Sequence, residues 1–321
     1  MKAVMAKKYG SADMLEIREV EKPSPKAREV LIKIHEAVVT PTDVAVRSGK
    51  PFMVRFFSGF FAPKGALGSD LVGEIEAVGE DVVLFKVGDQ VFGATGGAAG
   101  GSHAEYVCLP EDAIITTKPA NRSNADVAGI SDGAITALTF LRDVAKIQSG
   151  QKVLINGASG SVGGFGVQIA HYFGAEVTGV CSGKNAALVK SLGAEHVIDY
   201  TQEDFTQNLG AYDIIFDAIG KSSFPRCKGA LKADGLYLTT VPSLGIVWHM
   251  LSTRRSHKKA IFSATGLSQT IEKLHFLKEM IEAGHLKAVL DRHYPLSQIR
   301  DAHRYVESER KTGNVIIRIA S

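Results

Sequence analysis

The sequence has few cysteines and no excess of charge of either sign. Its three cysteines, Cys108, Cys181 and Cys227, lie far apart, so we expect neither a disulfide framework nor a Cys-x-x-Cys metal site. Lys and Arg total 37 against 34 for Asp and Glu, a net charge of +3. Nucleic-acid surfaces normally carry a strong basic excess. We therefore expect a cytoplasmic protein without a nucleic-acid partner.

Long apolar runs are also missing. The longest candidate, Pro242–Leu251, contains His249 and falls well short of the roughly 20 residues that cross a bilayer. Residues 1–8 are charged, but no apolar run follows them, so no secretory signal is visible. We predict no membrane partner. A chain of 321 residues suits two domains.

The first 122 residues predict a β-rich domain. Short apolar runs such as Glu29–Ile34, Val72–Val78 and Ala104–Cys108 are separated by Gly, Pro and Asp, a spacing typical of a small barrel with tight corners. Helix signals are scarce in this stretch. We therefore expect a β-barrel domain at the start of the chain.

The pattern changes after Asn121. Residues 125–145 predict a helix interrupted near 131–133, and buried strands then alternate with helices, beginning with a strand at 152–156, a helix at 162–173 and a strand at 176–181. Such alternation predicts an α/β fold with a doubly wound parallel sheet covered on both faces.

The tail returns to strand-like patterns. We predict a strand at 287–290, a helix at about 298–309 and a last strand at 314–319. Because that last strand could pair back onto the first domain, the predicted organisation is discontinuous. The barrel domain would comprise 1–122 and 287–321, and the second domain 123–286.

A glycine-rich segment at 153–166 joins a predicted buried strand to a predicted helix. Compared with the Rossmann fingerprint, Ala158 takes the first glycine position, Gly160 the second and Gly163 the third. The second glycine admits a pyrophosphate, and the third allows close packing of helix and strand. The free amides at the helix start favour phosphate. A tight turn without a ligand is the alternative. The loop residues predicted to bind cofactor are Ala158, Ser159, Gly160, Ser161, Val162 and Gly163.

The end of the next strand indicates which nicotinamide cofactor binds. NAD-selective sites place Asp or Glu there for the ribose hydroxyl, whereas 180–185 contains no acid. Ser182, Lys184 and Asn185 supply donors that suit a 2′-phosphate, and Glu176 and Glu195 are the nearest carboxylates along the sequence. We predict NADPH. The alternative is a solvated Lys184 with weak selectivity.

Five longer motifs, at 67–79, 85–92, 101–107, 191–200 and 311–316, resemble the medium-chain dehydrogenase/reductase superfamily. The resemblance is to its zinc-free quinone oxidoreductase branch, similar to zeta-crystallin, and it extends over nearly the whole chain. It implies a GroES-like β-barrel domain, a Rossmann NADP(H)-binding domain and a homodimer. It also implies cofactor contacts beyond the loop, namely Thr136 at the nicotinamide ribose, Tyr200 near the adenosine phosphate, Val241 at the nicotinamide end and Asn314 from the tail.

Zinc enzymes of the superfamily hold their catalytic metal at two turns. This sequence has Thr40-Pro-Thr-Asp43 and Gly68-Ser-Asp70 at the matching places. Thr and Ser are not normal zinc ligands, and the four-cysteine structural lobe is missing. Asp43 and Asp70 are possible oxygen ligands, but two carboxylates do not make a tetrahedral site, and a turn role is favoured. We therefore predict no metal.

Without a Lewis acid, a quinone or an α,β-unsaturated carbonyl is the favoured hydride acceptor. Thr40 and Thr42 are candidate donors to the developing oxyanion, with helix capping as the alternative role. No general acid is assigned. A second candidate activity is enoyl-thioester reduction, for which the basic run at 254–259 could bind the carrier. A third is a non-catalytic NADPH-binding sensor or RNA-binding protein.

The segment 51–61 contains five phenylalanines. We predict that it lines an apolar or aromatic acceptor site. A packed subdomain core, a dimer surface and a patch that touches a membrane are the alternatives. The residues predicted to line the substrate site are Phe52, Phe56, Phe57 and Trp248.

Overall fold

The computed structural model describes residues 1–96, 100–263 and 269–319. Contacts between backbone positions divide the chain into two compact units. The first unit comprises Met1–Asp132 and Gln269–Ser321, and the second comprises Gly133–Ser268. The predicted domain limits at 122 and 287 both fall inside the first unit, and they stay a prediction.

The strands, in chain order, are β1 (Lys2–Ala6), β2 (Leu15–Glu19), β3 (Glu29–Val39), β4 (Asp70–Val78), β5 (Gln90–Ala94), β6 (Tyr106–Pro110), β7 (Ile115–Thr117), β8 (Lys152–Asn156), β9 (Glu176–Cys181), β10 (His196–Asp199), β11 (Tyr212–Asp217), β12 (Leu231–Thr239), β13 (Lys259–Phe262), β14 (Leu290–Pro295) and β15 (Asn314–Arg318). The α-helices are α1 (Pro41–Ser48), α2 (Arg55–Ser58), α3 (Asn124–Val127), α4 (Ile135–Leu138), α5 (Ser161–Tyr172), α6 (Ala186–Ser191), α7 (Phe224–Cys227), α8 (Leu244–Ser252), α9 (Ile271–Glu282) and α10 (Ile299–Glu307).

The first unit is built on a largely antiparallel sheet. Its strand order is β14-β15-β3-β4-β5-β7, and β6 also pairs with β3. The tail strand β15 pairs antiparallel with β3, with Ile317 opposite Ala37, and parallel with β14. The interior of the sheet is formed by buried aliphatic residues such as Val30, Ile32 and Ile75.

The strand predicted at 287–290 is wrong. The ladder to β15 begins at Leu290, opposite Asn314, and continues to Pro295. The ladder opens with the backbone amide of Asn314, which donates to the carbonyl of Val289 at 2.8 Å, and the Asn314 side chain donates to the same carbonyl at 3.3 Å. Pairing with β15, rather than hydrophobic pattern, sets the register here.

The second unit contains the predicted doubly wound sheet. Its order is β10-β9-β8-β11-β12-β13, and every neighbouring pair is parallel. Numbered from β8, this is the 3-2-1-4-5-6 arrangement of dinucleotide-binding domains. The central strands β8 and β11 are buried apart from Lys152 and Asp213 near their starts, as expected for a sheet covered on both faces. The predicted α/β fold class is confirmed.

Helical structure differs from the prediction in two places. Residues 124–144 form not one helix but α3, a π-helical turn at Ile130–Ala134, α4 and a second π-helical turn at Thr139–Val144. In the first unit, α1 was overlooked. Its signals were Thr40 as N-cap, Pro41 at the first helical position and Gly49, with φ of 66°, as the left-handed C-cap.

Among the residues that the structure describes, every helix is too short or too polar to cross a membrane.

Candidate cofactor and catalytic site

The glycine loop connects β8 to α5 as the sequence predicted. Gly160 is the N-cap of α5 and, having no side chain, offers no capping acceptor to the first amides of the helix. The residues whose amides open the helix, Ser161 and Val162, are only half-buried. An uncapped helix start combines free N–H donors with the positive end of the helix dipole, and so favours a phosphate.

The glycines of this loop have different structural roles. A side chain at Gly163 would overlap the carbonyl oxygen of Gly157, so close packing requires glycine there. A side chain at Gly160 would begin 3.3 Å from the Gly157 carbonyl oxygen, so the absence of a side chain leaves the backbone there open to approach by a ligand. Gly157 has φ of 82° and makes the tight turn, a role that the fingerprint alignment gave to Ala158. Ala158 is completely buried, and its amide donates to the carbonyl of Val180 at 3.0 Å.

The predicted 2′-phosphate residues come together at the end of β9. The amide nitrogen of Asn185 donates to Ser159 Oγ at 3.1 Å and lies 3.4 Å from Ser182 Oγ. Lys184 projects into solvent beside them. The loop after β8 and the loop after β9 therefore share one hydrogen-bonded edge.

Asp199 also lies at this edge, and the sequence reasoning missed it. Asp199 is opposite Cys181 in the parallel ladder between β9 and β10, and its Oδ2 lies 2.5 Å from where a side chain on Gly183 would begin. Glu176 and Glu195 are the nearest carboxylates along the sequence, but Asp199 lies next to Gly183 in space. Sequence distance hid this carboxylate, because only the pairing of β9 with β10 brings it close.

The Asp199 carboxylate is already hydrogen-bonded within the protein. It accepts hydrogen bonds from the backbone and hydroxyl of Thr201, at 3.0 and 2.8 Å. These bonds, with a further one from the Gly183 amide, hold the pKa of Asp199 below its usual value. The charge is thus partly compensated by local donors.

The remaining predicted contacts of the second unit have mixed exposure. Tyr200 and Val241 follow β10 and β12 and are exposed, with Tyr200 donating its amide to the carbonyl of Cys181 at 3.2 Å. Thr136 is buried within α4. Trp248, predicted to line the substrate site, lies on α8 with 63% of its surface exposed.

A buried carboxylate that the sequence did not single out fixes the carboxyl ends of three strands. Asp217, at the end of β11, accepts from Asn156 of β8 at 2.9 Å and from the Tyr237 hydroxyl of β12 at 3.0 Å. The backbone amide of Ser222 adds a third bond at 2.8 Å. Burial and the Asp217 charge raise the pKa of Tyr237. The network fixes the strand ends from which the cofactor loops depart.

In the first unit, Thr40 performs the capping role that was the alternative for it. Its Oγ1 accepts from the Asp43 amide at 3.2 Å, while Asp43 Oδ2 accepts from the Thr40 amide at 2.7 Å and lies 2.8 Å from Thr40 Oγ1. This is a capping box with Asp in the third position. Thr42 is exposed on the first turn of α1, and its hydroxyl remains a candidate donor.

Four ionisable groups collect near this turn. Asp70 accepts from the Ser131 hydroxyl, and burial, assisted by the charge of Asp132, raises the pKa of Asp70 well above its usual range. Burial and the charge of Asp43 raise the pKa of Asp132 to about 6. Burial lowers the pKa of Lys311 to about 8, although Asp132 opposes this shift. The sequence reasoning missed Asp132 and Lys311 as candidate acid–base groups.

The turns that would hold catalytic zinc in this fold do not fit the metal. Thr40 and Ser69 present hydroxyl groups, which are not ordinary zinc ligands, and Asp43 and Asp70 are engaged by Thr40 and Ser131. Within the described part of the chain, the group with ligand atoms close enough for a metal lies elsewhere, at Glu176, Glu195 and His196. That group is largely exposed, and Lys152 already pairs with Glu176 at 3.1 Å.

Two further predicted regions lie in the first unit. Asn314 is buried and bonded to the carbonyl of Val289, and its side chain fills the space beside Gly129, whose φ is 81°. The five phenylalanines at 52–61 are exposed, and four of them contact one another edge to face, namely Phe52, Phe56, Phe60 and Phe61. The alternative in which they form a packed core is therefore wrong.

Comparison with known families gives two matches. Residues 26–119 match the alcohol dehydrogenase GroES-like domain, and residues 192–317 match the zinc-binding dehydrogenase domain. The first match agrees with the predicted GroES-like domain. The name of the second describes zinc members of the family, whose ligand residues this chain lacks at the two turns described above.

Two curated relatives match almost the whole chain. One is a chloroplast envelope quinone oxidoreductase homolog of Arabidopsis thaliana, 30% identical, with 99% of this chain and 98% of the relative covered. The other is a 2-methylene-furan-3-one reductase of Solanum lycopersicum, 33% identical, with 99% and 79% covered.

Solved structures show the same architecture. The quinone oxidoreductase of Coxiella burnetii is 28% identical with a TM-score of 0.90, covering 100% of this chain and 99% of its own. The Escherichia coli quinone oxidoreductase complexed with NADPH has a TM-score of 0.84 at 23% identity, with 99% and 100% covered. This chain is therefore a member of the medium-chain dehydrogenase/reductase superfamily, in its quinone oxidoreductase branch, and an oxidoreductase that uses a nicotinamide cofactor.

Proposed function

We propose that the protein is an NADPH-dependent reductase that transfers hydride to a quinone or an α,β-unsaturated carbonyl without zinc. The observation that carries the proposal is the shared edge after β8 and β9. There an uncapped helix start lies next to a cluster of neutral and positive donors. A dinucleotide with an added phosphate on its adenosine ribose matches both features.

The preference for NADPH rests on the residues after β9. The Ser182 hydroxyl offers a neutral donor, Lys184 adds a positive charge, and Asn185, which donates to Ser159 and lies 3.4 Å from Ser182 Oγ, is proposed to hold the two loops together around the phosphate. A carboxylate that bonds the ribose hydroxyls would favour NADH instead. The Asp199 carboxylate already accepts hydrogen bonds from Thr201 and Gly183, which reduces its capacity to accept from a ribose hydroxyl. These contacts support an added phosphate beside Lys184.

Bound nicotinamide would supply the hydride, and the protein would supply orientation and a proton. A conjugated acceptor needs less electrophilic assistance than a simple ketone, which agrees with turns that lack zinc ligands. We assign oxyanion stabilisation to the exposed hydroxyl of Thr42, since Thr40 is committed to its capping box. We assign the proton supply to Lys311 and Asp132, whose pKa values of about 8 and about 6 lie close to neutrality.

The names of the relatives support this acceptor class. One is a quinone oxidoreductase homolog, and the other reduces a 2-methylene-furan-3-one, in which an alkene is conjugated to a carbonyl. Phe52, Phe56 and Phe57 remain proposed lining residues for such an acceptor, and Trp248 remains a further one. A homodimer and a cytoplasmic location also belong to the proposal.

Enoyl-thioester reduction is a second candidate. A surface cavity of about 490 Å³ is lined by Leu251, Ser252, Arg254 and Arg255. Two arginines at one cavity suit the phosphate groups of an acyl carrier. The quinone and enone proposal ranks first because the chain-length relatives are named for those acceptors.

The test is NADPH oxidation, followed by absorbance, with quinones, enones, aldehydes and enoyl thioesters. We expect turnover with quinones or enones that a chelator does not reduce. Tight NADPH binding without turnover on any acceptor would contradict the enzyme proposal and favour a sensor. Turnover that requires a divalent metal would contradict the zinc-free mechanism.

The proton assignment has a separate test. In the wild type, the turnover rate should fall as pH rises through about 8, where Lys311 loses its proton. The Lys311→Met variant should lose this alkaline limb and turn over more slowly by roughly 10²-fold, the usual contribution of a general acid. An unchanged pH profile would remove Lys311 from the proton route.

A further inference from the structure

Large apolar side chains are exposed together at one place in the first unit. We name this group the phenylalanine patch. It comprises Phe52 (54% exposed), Met53 (64%), Phe56 (63%), Phe57 (68%), Phe60 (53%) and Phe61 (87%). Aromatic side chains of this size and exposure present on the order of 700 Å² of apolar surface, more than most soluble monomers expose in one patch.

The patch is an ordered surface and not a loose loop. Its rings meet edge to face, with centroid separations of 5.7 Å for Phe52–Phe56, 6.1 Å for Phe52–Phe60 and 6.3 Å for Phe56–Phe60. Arg55 supports them from one side, since its guanidinium lies 5.4 Å from the Phe52 ring centre and 4.5 Å from that of Tyr9. Four of the phenylalanines are therefore held in an exposed arrangement by contacts among themselves and, at Phe52, with Arg55.

The charges that flank the patch in the sequence have one sign. The sequence contains no Asp or Glu between Asp43 and Asp70, whereas Lys50 and Lys64 lie on either side of the patch and are exposed. Exposed aromatic residues bordered by lysines are the composition of surfaces that rest in the headgroup region of anionic membranes.

The same border argues against a second copy of the chain as the occupant. A two-fold contact places the same surface of both copies face to face, so the basic borders of the two patches would meet and repel. An anionic lipid surface satisfies the apolar centre and the basic border together. Its phosphates attract the lysines, and its acyl boundary accepts the aromatic rings.

A second segment has the same composition. On α8, Leu244, Val247, Trp248 and Leu251 follow the i, i+3, i+4, i+7 spacing of one helix face, and between 49% and 92% of each residue is exposed. No acid occurs between Asp234 and Glu272, whereas Arg254 and Arg255 follow the helix. This segment, in the second unit, repeats the exposed apolar and basic combination independently.

We propose that the phenylalanine patch docks the protein on the surface of an anionic lipid membrane. The expectation of no membrane partner considered only segments long enough to span a bilayer, whereas surface docking needs no such span. The proposal does not depend on which acceptor the enzyme reduces, but it assigns Phe52, Phe56 and Phe57, the proposed lining residues of the acceptor site, to a lipid contact; vesicle binding is therefore measured without cofactor or acceptor.

Co-sedimentation of the full chain with vesicles tests the proposal. The wild type should bind phosphatidylcholine vesicles that contain phosphatidylglycerol, bind pure phosphatidylcholine more weakly, and lose binding as salt rises. The Phe57→Ser/Phe61→Ser double variant should bind at least roughly tenfold more weakly, because two aromatic side chains that would be buried in the membrane are removed. The Lys50→Gln/Lys64→Gln variant should lose the preference for anionic vesicles.

A matched control removes exposed apolar residues elsewhere in the same unit. Val83 and Leu84 are 83% and 62% exposed, and the Val83→Ser/Leu84→Ser variant should bind vesicles like the wild type. Because all substituted side chains are exposed, equal melting temperatures should show that each variant folds.

Three results would overturn the proposal. The first is a wild type that does not sediment with anionic vesicles. The second is unchanged vesicle binding by the Phe57→Ser/Phe61→Ser variant. If Trp248→Ser abolishes vesicle binding in the same assay, the membrane contact lies on α8 instead. The third is a wild-type dimer in sedimentation velocity that Phe57→Ser/Phe61→Ser converts to monomer without any vesicle binding, which would make the patch an interface between copies.

Discussion

Replacing Lys184 should weaken NADPH binding and leave NADH binding unchanged. Lys184 is exposed, so water screens its attraction to a 2′-phosphate. A charge-assisted contact of about 1 kcal/mol remains, equal to roughly a fivefold change in affinity. Lys184→Gln should therefore raise the Kd for NADPH roughly fivefold. Lys184→Asp should raise it further, because repulsion replaces attraction, and a total of roughly 20-fold is expected.

The assay is a fluorescence or calorimetric titration of each variant with both cofactors. Lys190, an exposed lysine in the helix that follows, is the matched control, and Lys190→Gln should bind both cofactors like the wild type. Added salt should reduce the difference between wild type and Lys184→Gln. The reasoning is refuted if Lys184→Asp keeps the wild-type affinity for NADPH, or if NADH binding falls by the same factor.

Three other substitutions test the structural basis of the site. Gly163→Ala should weaken cofactor binding, because its methyl group would overlap the Gly157 carbonyl and displace the loop. The control is Gly210→Ala, at a glycine that has open space around it but a φ of 61°, and this variant should lose stability alone. Titration of both variants with NADPH distinguishes a loss of binding from a loss of stability. Asp217→Ala should lower the free energy of unfolding by about 2–4 kcal/mol, because it leaves the buried donors of Asn156 and Tyr237 without an acceptor. Urea denaturation measures this loss. A loss below about 1 kcal/mol would contradict the role of Asp217 in fixing the strand ends. The pKa of Asp132 is raised from 3.8 to about 6 in the folded protein. Between about pH 4 and 6 the folded state therefore binds more protons at Asp132 than the unfolded state does. The contribution of Asp132 to the free energy of unfolding falls as pH rises through this interval. The Asp132→Asn variant should therefore be more stable than the wild type at pH 7, by up to about 3 kcal/mol because the pKa of Asp132 is raised by about two, and about equally stable near pH 4. A difference between variant and wild type that is the same at both pH values would contradict the assignment.

Much of the second unit could be predicted because its signals are local. The buried strand at 152–156 and the glycines up to Gly163 are close in sequence, and strand, loop and helix follow directly. The cluster of Ser159, Ser182 and Asn185 could also be expected, since consecutive parallel strands place their carboxyl ends at the same edge.

What the sequence did not show depends on register and on distant contacts. Asp199 reaches Gly183 only because β10 pairs with β9, and Lys311 is near Asp132 only because the tail folds back into the first unit. Thr40 is a different case. Its capping role could be predicted from Asp43 three residues later. The same position matches the catalytic turn of related enzymes, and for that reason Thr40 was also predicted to donate to the substrate oxyanion.

The exposure of the phenylalanine patch could not be predicted either. A run of five phenylalanines in 51–61 is equally compatible with a core, a substrate wall or a surface. Only the packing of the rest of the first unit decides that these side chains remain outside.

Titration of the wild-type protein with NADPH and NADH under identical salt conditions tests the central claim most directly. The account predicts that NADPH binds at least roughly tenfold more tightly, because a 2′-phosphate gains the Ser182 hydroxyl and the Lys184 ammonium, which Asn185 helps to position. Equal affinities, or tighter binding of NADH, would contradict it.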